Sequence, residues 1–242
     1  MDSCLVNRLS HYVDLTQREC DFIEKIEMDR QFVKKGDILH GPGDNIGIIH
    51  ILNEGWACAT GHTMTEKSHK FRVYLPGEVI GIAELGLSQA HHTIAMQTDG
   101  VLCPFPRSGL AEMLQDFPRL SALMLAISAL DQVALREHAV TLAAMDAEGR
   151  LKHFLLQLRA RLHVANVGLG NRIRVPFSQA ELGELVGLTP IYVNRLLRRW
   201  VETGELSIDR PYFRLQNREK WEKELGFISP FDNMDTSWFP HT

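Results

Sequence analysis

One short stretch near the end of the chain gathers polar, basic and apolar side chains at helical spacing. Ile191, Asn194, Arg195 and Arg198 follow one another at steps of three and four residues, so on an α-helix they share one face. Arginine can donate to O6 and N7 of guanine, asparagine can pair bidentately with adenine, and isoleucine can contact a thymine methyl. The face predicts a reader of the DNA major groove, with Arg195 the first candidate for base contact and Arg198 and Arg199 expected on phosphates.

The residues before this face indicate how it is positioned. Ser178 and Glu181 have the spacing of a capping box and predict a short first helix. Gly187 then supplies a tight turn, Thr189 a second N-cap, and Pro190 the favoured first residue of the next helix. The candidate DNA-binding residues are Ser178, Gln179, Thr189, Pro190, Ile191, Asn194, Arg195, Arg198 and Arg199.

The second helix also has an apolar side, and a predicted hairpin follows it. The residues expected to be buried are Val193, Leu196, Leu197 and Trp200. Gly204 should stop the helix, and strands at 205–208 and 212–215 should flank a turn at 209–211. An unrelated helical hairpin with a solvated basic face is the alternative. The order of cap, turn, cap, basic face and hairpin favours a winged helix-turn-helix.

The charge distribution agrees with this placement. The 242-residue chain has a formal net charge of −4, but residues 1–145 hold 12 Lys and Arg against 18 Asp and Glu. Residues 146–220 hold 13 Lys and Arg against 8 Asp and Glu, so the basic part of the chain contains the predicted helix-turn-helix. The length favours two domains.

Other classes of protein lack support in the sequence. The start, Met1 to Cys4, has no basic segment followed by an apolar run, and no stretch has the length of unbroken apolar residues that a membrane span needs. A cytoplasmic protein that does not enter a membrane is therefore expected. The four cysteines form no C-x-x-C pair, which predicts reduced thiols and no metal site or cofactor. No catalytic motif is present, so an enzyme is not expected.

The first part of the chain predicts a β-rich domain and a long helix. Thr16 and Glu19 have capping-box spacing before a short helix, and short β-rich runs separated by glycines extend from about residue 31 to 106. From Gly109 to Met145 an apolar stripe has helical spacing and exceeds what a small roll can cover, which favours a dimer seam. Packing against its own domain is the alternative. The predicted seam is Leu120, Leu123, Ile127, Leu130 and Ala134.

Three sequence motifs resemble the Crp/Fnr family of bacterial transcription regulators over roughly residues 20 to 220. They are Gln179-Ala180-Glu181-Leu182-Gly183, Gly187-Leu188-Thr189 and Val193-Asn194-Arg195-Leu196-Leu197. The resemblance implies an α+β fold. Its first domain (1–108) would be a β-roll sensor of the cyclic-nucleotide-binding jelly-roll type with an N-terminal helix. A dimerisation helix (109–145), a winged helix-turn-helix (146–225) and a C-terminal tail (226–242) would follow.

The resemblance also predicts how the operator is read. The family's recognition helix commonly carries a glutamate and an arginine four residues apart. Here the arginine corresponds to Arg195 but the glutamate position is Ile191. Since isoleucine cannot accept a hydrogen bond from cytosine, a different or relaxed half-site is expected.

The predicted roll resembles cyclic-nucleotide-binding domains near Pro76-Gly77-Glu78 and Ala83-Glu84-Leu85-Gly86-Leu87. Glu84 matches the family's ribose-binding glutamate, and His92 and Thr93 align with its arginine and hydroxyl that hold the phosphate. No arginine lies between residues 80 and 101, so cyclic AMP and cyclic GMP are disfavoured as ligands for this anion site.

Two other kinds of effector site, an iron–sulfur cluster and a haem or metal site, have less support in the sequence. Cys4 and Cys20 do not supply the N-terminal cysteine set of the iron–sulfur relatives. Neutral histidines can ligate haem or a metal, but adjacent histidines in a strand point to opposite faces, which favours surface or core roles. The histidines concerned are His50, His62, His69, His91 and His92.

The function expected from the sequence is sequence-specific regulation of transcription. A homodimer would bind a palindromic operator in double-stranded DNA and respond to a small-molecule effector whose identity the sequence does not specify, and RNA polymerase is a candidate further partner. The alternative is a ligand-binding regulatory protein that acts on a protein partner without binding DNA.

Overall fold

A computed structural model describes residues 3–62, 68–165 and 170–240 of the chain. The chain forms two compact units, one made of residues 1–129 with 234–242 and the other of residues 130–233. The expected boundaries after residues 108, 145 and 225 stay predictions about domains.

The first unit contains a β-roll of two four-stranded sheets. Its strands are β1 (Gln31–Val33), β2 (Ile38–His40), β3 (Ile48–Glu54), β4 (Ala57–His62), β5 (Ser68–Tyr74), β6 (Val79–Ile80), β7 (Thr93–Met96) and β8 (Gly100–Pro106). One sheet has the order β1-β8-β3-β6 and the other β2-β7-β4-β5, with all pairs antiparallel. A 3₁₀ turn at Ile82–Glu84 follows β6.

Two glycines allow the close backbone approach at one end of this roll. A Cβ on Gly100 would lie 2.2 Å from the carbonyl oxygen of Glu54, and a Cβ on Gly55 would lie 2.6 Å from that of Asp99. Larger residues would therefore collide with backbone where β3 pairs with β8. The apolar side chains packed together in the roll include Leu52, Ala57, Ala59, Tyr74, Ile80, Ile94, Met96 and Leu102.

Two short helices belong to the same unit, α1 (Cys4–Leu9) and α2 (Gln17–Ile26). The predicted capping box at Thr16 is confirmed, because its hydroxyl accepts from the backbone N–H of Glu19 while the Glu19 carboxylate accepts from that of Thr16. In α1, the buried Arg8 guanidinium lies 3.2 Å from the Glu78 carboxylate. This ion pair ties α1 to the roll.

The predicted single helix from Gly109 to Met145 is two helices, α3 (Arg107–Asp116) and α4 (Pro118–Ala144). Phe117 lies between them with φ −133° and ψ 63°. Proline lacks a backbone N–H and clashes inside a helix, so Pro118 can begin a helix but cannot lie in the middle of one.

Part of the apolar stripe of α4 faces the core of the first unit. Leu120, Leu123 and Ile127 pack in the core of the first unit with residues of α1, α2 and β8. Leu130 is half-buried, and Ala134 is buried with its carbonyl accepting from Gln157. The burial of Leu120, Leu123 and Ile127 favours the alternative, in which the stripe packs within its own unit. A contact of the stripe with a second chain stays a prediction.

The second unit contains the predicted DNA-binding elements. They are α5 (Ala147–Val164), β9 (Arg172–Arg174), α6 (Gln179–Val186), α7 (Pro190–Glu202), β10 (Leu206–Asp209), β11 (Tyr212–Leu215) and α8 (Arg218–Leu225). The three strands form an antiparallel sheet in the order β10-β11-β9.

The C-terminal segment is irregular, as predicted, but it is anchored. Phe231 is buried in the second unit, and Phe239 is buried in the core of the first.

Among the described residues, α4 is the helix whose length and composition would allow it to cross a bilayer. A single such helix is weak support for a membrane span, because the core helix of a soluble protein passes the same test.

Candidate nucleic-acid interface

The turn between α6 and α7 is built by local hydrogen bonds. The Ser178 hydroxyl accepts from the Glu181 N–H at 3.2 Å, and Glu181 Oε2 accepts from the Ser178 N–H at 2.8 Å. Gly187 ends α6 at φ 66°, a left-handed conformation that favours glycine. The Thr189 hydroxyl caps α7, which begins at Pro190. The predicted caps and turn are confirmed.

Gly183 is a residue of this motif whose role the sequence reasoning missed. A Cβ at this position would lie 2.4 Å from the carbonyl oxygen of Leu188, and the Leu188 N–H donates to the Gly183 carbonyl at 2.9 Å. Because the obstacle is backbone, only glycine lets the turn close onto α6. The signal was present in the sequence as a glycine inside an otherwise helical stretch.

Helix α7 has the two sides that its sequence predicts. The side chains of Val193, Leu196, Leu197 and Trp200 are all buried. On the other side, Ile191 is 83% exposed, Arg195 and Arg198 are exposed, and Asn194 is half-buried. This side of α7 therefore presents one apolar side chain and two guanidinium groups to solvent.

Two side chains behind this surface hold the candidate base readers. The Arg195 guanidinium lies over the Tyr192 ring, 4.2 Å from the ring centroid, a cation–π contact that limits its freedom. Helical side chains lean toward the N-terminus, the end of a recognition helix that contacts bases. Gln179 Nε2 donates to Asn194 Oδ1 at 3.1 Å and so links α6 to α7. The sequence reasoning did not identify either contact.

Arg199 has a protein partner that the sequence did not indicate, and its predicted phosphate contact stays a prediction. Its guanidinium forms an ion pair with Glu148 of α5. The helical spacing gave Arg199 an exposed position, and it is half-exposed, but a carboxylate 51 positions earlier in the chain occupies its charge. The ion pair therefore competes with any phosphate for the Arg199 guanidinium.

Glu148 belongs to a network that fixes α7 against the rest of the unit. The buried Lys152 places its ammonium group 5.9 Å from the ring centroid of Trp200 and 5.3 Å from that of Trp221. The same group lies 3.0 Å from carboxylates of both Glu148 and Glu224. Glu148 also accepts from the Trp200 indole N–H at 2.9 Å. A buried lysine is tolerated only with such partners, so the network determines where the recognition helix lies.

The ionisation of this network reflects its hydrogen bonds. Burial alone would raise the pKa of Glu148, but hydrogen bonds from Trp200, Lys152 and Arg199 outweigh it and lower the pKa to about 2. Burial opposes the charge of Lys152 too, yet hydrogen bonds to Glu224 and Glu148 raise its pKa above the usual value. Both groups are therefore held in their charged forms.

Acid should consequently loosen this unit. Because the pKa of Glu148 is about 2 in the folded chain and 4.5 in the reference state, its contribution is complete above pH 4.5 and is lost as the pH falls toward 2. We expect Glu148→Gln to lower the free energy of unfolding at pH 7 and to flatten its decline between pH 4.5 and 2. Urea unfolding followed by circular dichroism measures both.

The matched control is Glu219→Gln, since Glu219 is 90% exposed and lies 3.8 Å from Arg218. It should leave the curve unchanged, as exposed ion pairs contribute little. An acid-dependent decline in Glu148→Gln equal to that of the unsubstituted chain would contradict the assignment.

The wing has one strand more than the sequence predicts. The predicted hairpin is present as β10 and β11, and β9 adds a third strand through Arg172–Arg174. The alternation of buried Ile173 with charged neighbours was the available signal. Arg174 and Arg214 are exposed on this sheet, which gives the unit basic side chains beyond α7.

The candidate effector residues in the roll lie in different surroundings. Glu84 is buried and its Oε2 has no hydrogen-bond partner among the described residues. His92 is exposed, with its ring edge on Phe71, and Thr93 is half-buried at the start of β7. Burial lowers the pKa of the nearby His40, although the Glu84 carboxylate opposes this.

The remaining metal and thiol candidates do not converge. Within residues 3–62, 68–165 and 170–240 no three His, Cys, Asp or Glu side chains are placed to hold a metal ion, and the side chain of His62 lies outside the described residues. Burial raises the pKa of the Cys103 thiol to about 11, which opposes the thiolate form that ligation needs.

Comparisons with known proteins match both units. The family model for the cyclic nucleotide-binding domain matches residues 30–117, and that for the Crp-like helix-turn-helix domain matches residues 149–223. The anaerobic regulatory protein of Aggregatibacter actinomycetemcomitans is 23% identical over 216 residues, which are 89% of this chain and 83% of that protein. The fumarate and nitrate reduction regulatory protein of Escherichia coli is 24% identical over 228 residues, 92% and 89% of the two chains.

A solved structure agrees in fold. FixK2 from Bradyrhizobium japonicum superposes with a TM-score of 0.71 at 19% identity, covering 80% of this chain and 95% of that one.

A β-roll of the cyclic-nucleotide-binding type followed by a winged helix-turn-helix defines a DNA-binding transcription regulator. The chain belongs to the Crp/Fnr family of bacterial transcription regulators. The resemblance drawn from its sequence motifs and the predicted α+β architecture are confirmed.

Proposed function

We propose that the protein binds a palindromic operator as a homodimer in the cytoplasm, with α7 of each protomer in the major groove. The observation that carries this proposal is the exposed guanidinium of Arg195, directed along the first turn of a helix that is capped and anchored. A restrained arginine there can donate to O6 and N7 of guanine. Ile191 lies beside it, 83% exposed, and can contact a thymine methyl.

Phosphate contacts are proposed for the residues around the two helix N-termini. Ser178, Thr189 and Pro190 are exposed at the starts of α6 and α7, where backbone N–H groups favour anions. Arg198 is exposed on the reading side of α7 and completes the set. Such contacts fix the register on DNA without specifying sequence.

A gel-shift experiment tests this proposal against the alternative of a regulator that acts only on a protein partner. The full chain should retard specific genomic fragments in the presence of excess nonspecific competitor DNA. If no fragment is retained above the competitor, the proposed operator binding is wrong and the alternative is favoured.

The dimer contact is proposed on the outer face of α4, defined by Leu125, Ala129, Val133, Arg136 and Val140. All five side chains are exposed, Leu125 by 63% and Val140 by 62%. Val133 and Val140 lie seven residues apart, and Ala129 and Arg136 form a second pair seven residues apart on the same face. Valine at such positions favours two-stranded coiled coils, and members of this family act as dimers.

Apolar surface continues beside this face in the second unit. A groove of about 380 Å³ lies between Val133 and Val140 of α4 and the segment that follows α8. Phe227 and Ile228 line its other side, and Ile228 is 76% exposed. A second copy of α4 would cover Val133 and Val140.

The roll is proposed to sense an unidentified small molecule through Glu84, His92 and Thr93. Glu84 supplies the buried acceptor that lacks a partner among the described residues. An effector would act by binding the active and inactive dimers with unequal affinity. RNA polymerase is the proposed protein partner of the DNA-bound dimer.

Cyclic AMP and cyclic GMP are expected not to be this effector. A cyclic phosphodiester is an anion that such rolls hold with an arginine, and the aligned position is His92. Calorimetric titration of the full chain should detect no binding of either nucleotide below the millimolar range. Micromolar binding would contradict this interpretation of His92 and Thr93.

A further inference from the structure

Gln179 and Asn194 form the hydrogen bond that joins the two helices of the DNA-binding motif. Gln179 is the first residue of α6, and its Nε2 donates to Asn194 Oδ1 at 3.1 Å. Both side chains are half-buried. The pair therefore lies between the exposed reading side of α7 and its buried side.

The direction of this hydrogen bond determines what Asn194 can offer to a base. An asparagine amide has one acceptor oxygen and one NH₂ donor group. Bidentate pairing with adenine uses both, because the oxygen accepts from N6 while the NH₂ donates to N7. The hydrogen bond from Gln179 turns the Asn194 oxygen toward α6 and occupies one of its two lone pairs. The NH₂ group, on the opposite side of the amide, is then the better placed to meet DNA.

We propose that Gln179 is a positioning residue that sets the base preference of Asn194. By holding the amide oxygen, it presents Asn194 as a donor. Guanine offers two acceptors, O6 and N7, and thymine offers O4, whereas adenine offers N7 beside the donor N6. Adenine loses its bidentate advantage, and cytosine, which presents a donor, is rejected. The inference rests on the proposed docking of α7 in the major groove, and it replaces the expectation that Asn194 pairs bidentately with adenine.

The test compares Gln179→Ala, Gln179→Glu and Asn194→Ala in the full chain. The operator is one that the unsubstituted protein selects from random DNA. Binding titrations compare this operator with three others that differ from it only at the base pair where Asn194→Ala loses discrimination. The unsubstituted protein should prefer guanine or thymine there. Gln179→Ala should shift the preference toward adenine about tenfold, the effect of one competing hydrogen bond.

Gln179→Glu should reverse the preference. A carboxylate at 179 can only accept, so it would hold the Asn194 NH₂ group and turn the oxygen toward the groove. Cytosine and adenine, which present donors, should then be favoured over guanine and thymine. Overall affinity should fall as well, because the added charge repels phosphates, but a ratio between two operators cancels that loss.

A double-substitution cycle separates positioning from direct contact. If Gln179 acts through Asn194, neither Gln179 substitution should change base preference in the Asn194→Ala background. An equal loss of affinity for every operator, or a preference shift that persists without Asn194, would overturn the proposal while leaving the docking of α7 intact. Absence of any sequence preference in the unsubstituted protein would instead overturn the proposed function itself.

Discussion

Arg195→Ala is expected to abolish discrimination at one guanine in each half-site of the operator. A bidentate contact from arginine to guanine is worth ~1–3 kcal/mol of preference over the wrong base. The Arg195 guanidinium is already restrained on Tyr192, so its side chain loses little conformational entropy when it binds a base. That preference should therefore be nearly fully expressed. Titrations use operators in which each position carries each of the four base pairs in turn. The affinity of Arg195→Ala should no longer depend on the base pair at one position of each half-site, and the two positions should be related by the two-fold symmetry.

Arg198→Ala is the matched control for this substitution. Arg198 is exposed on the same helix but is assigned to a phosphate. Its loss should weaken all operators alike and reduce the salt dependence by about one unit per subunit. An Arg195→Ala variant that keeps the full guanine preference would show that α7 docks differently.

Val133→Asp combined with Val140→Asp is expected to convert the dimer into monomers. Val140 is 62% and Val133 38% exposed on the outer face of α4, so we expect the fold to survive, which circular dichroism checks. In a coiled coil the charges would meet their symmetry mates. A monomer loses the linkage between two half-sites, which should weaken operator binding by about 10²–10⁴-fold. Sedimentation analysis and operator titration measure the two effects.

Two controls locate the contact on α4. Met28→Asp combined with Phe32→Asp adds the same charges at exposed apolar positions elsewhere and should preserve the dimer. Leu123→Ala removes a fully buried side chain and should lower the free energy of unfolding by about 2–5 kcal/mol without dissociating the dimer. If Leu123→Ala dissociates the dimer while the two valine substitutions leave it intact, the apolar stripe that contains Leu123 is the dimer contact and the outer face of α4 is not.

The DNA-binding motif was predictable because its determinants are local. The caps at Ser178 and Thr189 involve residues three positions apart, and the turn at Gly187 needs only one backbone conformation. Periodicity then separated Val193 and Trp200 from Arg195 on α7. Each of these interactions is contained within a few residues of sequence.

Features that depend on distant partners could not be predicted in this way. The stripe of Leu120, Leu123 and Ile127 was correctly apolar, but periodicity does not specify which surface covers it, and their own unit does so. Arg199 had the spacing of an exposed residue, yet its partner Glu148 belongs to α5. Gln179 and Asn194 meet because α6 and α7 cross.

The tail and the wing illustrate the same limit. Phe239 is in an irregular stretch without a pattern, but it is buried in the core of the first unit. Strand β9 is only three residues long, too short for alternation alone to separate it from a loop.

A two-fold symmetric dimer that reads DNA through α7 is expected to select palindromic sites. Selection of bound sites from random double-stranded DNA by the unsubstituted full chain, followed by sequencing, tests it most directly. We predict a palindromic consensus with a guanine in each half-site and half-site centres about 10–10.5 base pairs apart, one turn of the double helix. Enrichment of sites without a palindrome, or no enrichment over the starting pool, would contradict the account.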